Sequence, residues 1–150
     1  MITLYNCNST AGRILDLALR AKSIKHKPDA QSWNGTNYPV ILDGRHLVKG
    51  AIVICEYLER RYPAPNLIPA DPHKASIIMM LLDRIVDQYH PEPLDFDMFE
   101  GHLSKNEFIA GDESSFADVA VSALAPSTEF WDAYRKRLEL DWGSWDSTFK

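Results

Sequence analysis

Cysteine is scarce, cations are in the minority, and long apolar runs are missing. The 150 residues hold two cysteines, Cys7 and Cys55. That is too few for a disulfide framework and suits a reducing compartment, so a cytoplasmic location is expected. Sixteen Lys and Arg stand against 21 Asp and Glu, for a net charge of −5. Binding to a phosphate backbone needs a surplus of cations, so no direct nucleic-acid partner is expected. No apolar run approaches the roughly 18 residues that a membrane-spanning helix needs. The first residues, Met1 to Tyr5, carry no charged leader, so no secretory signal is expected. The five histidines, His26, His46, His73, His90 and His102, show no ligand spacing. No glycine-rich phosphate loop occurs either, so neither a metal site nor a nucleotide site is expected.

What is present reads as a soluble globular chain: 45% apolar and 25% charged residues. The charge is unevenly placed. Residues 1–65 hold nine Lys and Arg against five Asp and Glu, and residues 66–150 hold seven against sixteen. The change falls at Tyr62-Pro63-Ala64-Pro65-Asn66-Leu67-Ile68-Pro69. Proline fixes φ and donates no backbone hydrogen bond, so this run ends a helix. Two parts follow, residues 1–65 and residues 66–150. Their opposite charges favour docking of one on the other, and the acidic second part would also suit a basic partner.

Ile2–Tyr5 is a short buried strand by pattern. Ile14, Leu17, Ala18 and Ala21 form a helical stripe over 11–22. Arg20 and Lys22 sit near its C-terminus, where cations complement the dipole. Residues 23–37 look irregular. Val40-Ile41-Leu42 and His46-Leu47-Val48 form a hairpin about Asp43-Gly44. Ala51, Ile54, Cys55 and Leu58 define a helix over 51–61. The second part looks all helical. Asp71-Pro72 opens a helix whose stripe is Ile78, Leu81, Leu82, Ile85 and Tyr89, closed by His90-Pro91. Asp95, Asp97 and Glu100 read as a solvated acidic turn. Ser115 and Asp118 form a capping box ahead of an apolar helix, and a last helix covers about 127–140 before an aromatic tail at Trp142 to Trp145. The fold class is α/β plus all-α: a reduced thioredoxin-like first domain and a helical second domain.

Four stretches carry a resemblance. They are Tyr38-Pro39-Val40-Ile41-Leu42-Asp43-Gly44, the helix Ile52 to Pro63 with Glu56-Tyr57-Leu58, Pro65-Asn66-Leu67-Ile68-Pro69, and Phe108-Ile109-Ala110-Gly111-Asp112 through Ala117-Asp118. Together they resemble the glutathione transferase superfamily, most of all its stringent starvation protein A branch. The resemblance implies a thioredoxin-like domain followed by a shortened helical glutathione-transferase-like domain. Only 15 residues separate Lys22 from Tyr38, so the family's second strand and second helix are shortened or lost. The later helices are cut back as well.

The resemblance also implies a site. The family's proline at Pro39 is cis, and the backbone of the residue before it, here Tyr38, holds the cysteinyl part of glutathione. An activating hydroxyl falls at Ser9, four residues before Arg13. Its alternative role is a helix cap. Cys7 stands near the place of a reactive thiol, or else ends the strand as a small apolar residue. At Gly50-Ala51 the family has an acidic residue followed by Ser, which grips the glutamyl end. Both side chains are missing here, and losing a charge-assisted hydrogen bond costs on the order of 1.5–3 kcal/mol. No catalytic residue and no cofactor are therefore expected, with glutathione, Ser9 and Cys7 as the fallback. Tyr38, Pro39, Gly50 and Ala51 become a remnant of a glutathione cleft.

The partner-binding candidates are Tyr62, Pro63, Ala64, Pro65, Leu67 and Tyr89. In the branch a Pro-His-Pro at the matching place lines a pocket that contacts RNA polymerase holoenzyme. Here Ala64 takes the middle position. The expected function is a non-catalytic adaptor that binds RNA polymerase or sigma factor. The alternatives are a small glutathione transferase or thiol reductase, and a truncated competitor of a longer relative. A homodimer through the face between the first part and the family's fourth helix is a further expectation.

Overall fold

The computed structural model describes residues 1–86 and 94–142, with the backbone alone for 139–142. Its order is β1 (Ile2–Tyr5), α1 (Thr10–Ala21), β2 (His26–Pro28), β3 (Val40–Asp43), β4 (His46–Lys49), α2 (Ala51–Arg61), α3 (Pro72–Val86), α4 (Phe96–Leu103), α5 (Phe116–Leu124) and α6 (Glu129–Trp142). The four strands make one sheet in the order β2-β1-β3-β4. β1 runs parallel to β2 and antiparallel to β3, pairing Ile2 with Asp43 and Tyr5 with Val40. The β3–β4 hairpin pairs Asp43 with His46, so Gly44 and Arg45 make the turn, and Gly44 takes the positive φ of 62° that the turn requires.

α1 starts where Ser9 accepts a hydrogen bond from the Gly12 amide at 3.0 Å. Its first turn lies hard against the chain leaving β1. A Cβ on Gly12 would stand 2.2 Å from the Asn6 carbonyl oxygen, so only glycine fits. Ile14, Leu15, Leu17, Ala18 and Leu19 are buried around this helix. α1 packs against α2 on one side and α5 on the other, and a single apolar cluster runs through both parts of the chain. α5 opens on the expected capping box, with Asp118 accepting from the Ser115 amide at 2.9 Å.

The structure differs from the sequence reading at several places. Residues 26–28 are a strand, because the parallel partner β1 supplies the ladder that their own His-Lys-Pro pattern does not advertise. Residues 29–39, by contrast, cross as a loop, as the sequence reading has it. Asp95 to Glu100 is no solvated turn. Asp95 caps α4 by accepting from the Met98 amide at 3.1 Å, and Phe99 and Leu103 bury one face. The Tyr38–Pro39 bond is trans, the ordinary state of an X–Pro bond. The cis bond among the described residues is Ala64–Pro65. The end of the helix near His90-Pro91, Tyr89 itself and the tail beyond Trp142 lie outside the described residues.

Candidate functional site

Two helix starts and a loop converge on one cleft. Its walls come from Ser9, Thr10 and Ala11 at the head of α1, Asn37 to Pro39, and Gly50 to Val53 at the head of α2. The far wall comes from the helical part, through Ile85, Val86, Phe96 and Leu124. The volume is about 850 Å³, within the range of small-molecule sites. The structure thus brings Ser9, Tyr38, Pro39, Gly50 and Ala51 together, and Cys7 does not line the cleft.

Two polar groups of this cleft, the Ser9 hydroxyl and the Tyr38 amide, are already engaged. The Ser9 hydroxyl donates to the Asn6 carbonyl at 2.9 Å while it accepts from Gly12. Its proton points into the β1–α1 turn rather than toward a ligand thiol. The Tyr38 amide donates to Thr36 Oγ1 at 3.3 Å. α2 begins at Gly50 with no side-chain cap, at φ 93° and ψ 137°. The one cleft carboxylate among the described residues is Asp83, which comes from α3 and not from the α2 mouth.

Cys7 is poorly suited to attack. Burial first, and the Asp16 carboxylate second, push its thiol above the ordinary 9.0. Cys55 is enclosed in the core, and burial pushes it up to about 12. No cluster of three or more His, Cys, Asp or Glu able to hold a metal occurs among the described residues.

The proline segment is a second feature. Pro63, Ala64 and Pro65 are exposed, while Leu67 is 1% exposed and packs in the core. Leu67 therefore leaves the partner-binding set: its amide donates to Glu59 at 2.9 Å and its carbonyl accepts from the Phe116 amide at 3.0 Å. By sequence, Lys22 is a dipole partner at the α1 terminus. In the structure it runs beneath the ridge and donates to the carbonyls of Tyr62 at 2.8 Å and Pro65 at 2.7 Å. Beneath Tyr62, Pro63 and Ala64 lies a second cavity of about 560 Å³, which also meets Ile24, Lys25, Asp43 and Arg61. Asp43 Oδ2 accepts from Tyr57 at 2.8 Å and from Tyr62 at 3.0 Å. Sequence reasoning missed this clip, since nothing in the pattern marks Lys22 as buried.

A glutathione transferase from Rhodospirillum rubrum superposes with a TM-score of 0.71, over 100% of this chain and 96% of that chain, at 15% identity. The chain has the glutathione transferase fold. FzlA from C. crescentus shares the fold with a TM-score of 0.71 at 17% identity, over 92% of this chain and 87% of that chain. A glutathione transferase homologue from a Burkholderia species, with glutathione bound, matches with a TM-score of 0.66 at 18% identity, over 92% and 90%. Residues 93–137 match the family described as glutathione S-transferase, C-terminal domain. The mouse maleylacetoacetate isomerase is 40% identical over 50 residues, 33% of this chain and 23% of the isomerase. The likeness to that relative thus spans about a quarter of its length. As in the sequence reading, a thioredoxin-like sheet domain precedes a helical domain, and no described helix is long and apolar enough to cross a membrane.

Proposed function

We propose that this transferase-fold chain is a non-catalytic adaptor, which presents the ridge Tyr62–Pro65 to a protein partner. RNA polymerase holoenzyme, or its sigma factor, is the partner that the resemblance to the stringent starvation protein A branch implies. One observation carries the reading: the α2 mouth at Gly50-Ala51 offers neither carboxylate nor hydroxyl, while the Ser9 proton is turned to Asn6. The ammonium of a glutamyl group would meet no anion there. A ridge already clipped by Lys22 loses little entropy on docking. The test is a pull-down of purified polymerase by wild type and by the Pro63→Ala, Pro65→Ala double variant. Capture by wild type and weaker capture by the variant are expected. No capture by wild type ends the polymerase reading.

A second reading is favoured by Asp83, the carboxylate that the cleft does contain. A small glutathione-dependent transferase would use Asp83 for the glutamyl ammonium and Ser9 for the thiol. Retention on glutathione resin, with conjugation of a generic electrophile that is lost in Ser9→Ala, would establish it. The truncated-competitor reading differs only in what the chain displaces, and polymerase occupancy beside a longer relative tests it. Self-association would use the exposed Ile77 and Met80 of α3. Light scattering reports whether the chain is a homodimer.

A further inference from the structure

The five carboxylates of residues 1–65 are all engaged. Asp16 meets His26 at 2.5 Å and Arg20 at 3.3 Å. Asp29 accepts from the Gln31 amide at 2.9 Å. Asp43 accepts from two tyrosine hydroxyls. Glu56 pairs with Arg60 at 2.8 Å, and Glu59 with Lys22 at 2.6 Å. Arg13, Lys25, Lys27, Arg45, Lys49 and Arg61 are left with no carboxylate partner among the described residues. Two of these, Lys25 and Arg61, line the cavity under the proline ridge. Both are exposed. Arg61 lies over the Tyr62 ring, its guanidinium carbon 4.9 Å from the ring centre, which fixes its head at the cavity edge. The one carboxylate in the cavity, Asp43, has its Oδ2 engaged by the Tyr57 and Tyr62 hydroxyls.

We propose that the cavity beneath Tyr62–Ala64 takes an acidic segment of the partner protein, with Lys25 and Arg61 meeting its carboxylates. The proposal rests on the adaptor reading of the ridge and names the chemistry of what docks there. Ile24 on one side and Pro63 and Ala64 on the other give apolar walls for an anchoring side chain between the acids. A nucleic acid fits less well. Its phosphates recur along a line and need cations in series, whereas the cavity's cations without a carboxylate partner among the described residues are the pair Lys25 and Arg61.

The probe is a fluorescent peptide of alternating Glu and Asp around a central Phe. A Gln and Asn version of the same length serves as control, and a single-stranded oligonucleotide as competitor. Anisotropy should show binding of the acidic peptide alone, weakening as salt rises past physiological strength, where screening acts within about 8 Å. Lys25→Glu with Arg61→Glu should weaken it about tenfold, since each exposed pair is worth up to about 1 kcal/mol. Lys25→Gln with Arg61→Gln should fall between, and both surface variants should keep the wild-type unfolding midpoint. Equal binding of the neutral peptide, or no loss in the charge-reversed variant, overturns the proposal. So does preferential binding of the oligonucleotide. Polymerase capture that charge reversal leaves unchanged overturns the acidic-segment proposal while the adaptor reading stands. Acidic-peptide binding without polymerase capture overturns the polymerase reading alone.

Discussion

Lys22 Nζ lies 2.6 Å from Glu59 Oε1, and its side chain is wholly enclosed. The same ammonium also holds the carbonyls of Tyr62 and Pro65 and sits over the Phe116 ring, 5.9 Å from its centre. Glu59 in turn accepts from the Leu67 amide. One ion pair therefore grips the proline ridge at both ends and ties α1, α2 and α5 to it. A buried pair of this kind is a weak source of net stability, but removing one member strands the other.

Lys22→Met should cost about 3–5 kcal/mol, because Glu59 and two carbonyls lose their donor in a dry site. Urea denaturation reads the loss. Lys22→Met with Glu59→Leu should recover part of it, since no uncompensated charge then remains.

Asp118 should show a cost of about 1–3 kcal/mol on change to Asn. One of its oxygens takes the Ile109 amide and the Tyr134 hydroxyl, and the other takes the Ser115 amide. An Asn amide would turn hydrogens toward one of these sets of donors. Burial raises the Asp118 pKa above the ordinary 3.8 despite those hydrogen bonds. A carboxyl with a raised folded pKa is protonated first in the fold, so its contribution is fully present below 3.8 and is lost as pH rises through the shifted value. The stability gap between wild type and Asp118→Asn should therefore narrow from acid to neutral pH in parallel denaturation series.

Cys7 should alkylate more slowly than a free thiol, with a rate profile whose midpoint lies above pH 9.0. Its share of stability runs the same way, present at neutral pH and lost as alkali ionises the thiol. Iodoacetamide labelling followed by mass spectrometry gives the profile. A midpoint below neutrality would restore Cys7 as a reactive centre.

Gly50→Ala should cost about 1–3 kcal/mol through the backbone alone, because φ is 93° and the nearest atom to the new Cβ is 3.9 Å away. Thermal melts report the loss. The same strain would oppose an acidic residue at this position, whereas Ala51→Ser meets no such obstacle.

The helices with a clean apolar stripe, α1 and α2, were legible because burial and period agree at Ile14, Leu17, Ile54 and Leu58. The hairpin was legible from Asp43-Gly44, although the turn falls one residue later, on Gly44 and Arg45. β2 was hidden because its pairing depends wholly on β1. α4 did carry a signal, Phe96, Phe99 and Leu103 at helical spacing, but the acids between them masked it. Of the site, the cleft positions around Pro39 and Gly50 could be named from motif alone. The clip under the ridge could not, since lysine is rarely enclosed and its partners sit about forty residues away in sequence.

α1 is clad by α2 on one side and α5 on the other, with one apolar cluster spanning the whole. The loop at 29–39 and the short strand β2 lie at the edge of this arrangement and leave α1 covered. A cut after Pro65 would strip that helix of half its cladding, so neither piece should melt as an independent unit, and a scanning calorimeter should record a single heat-absorption peak.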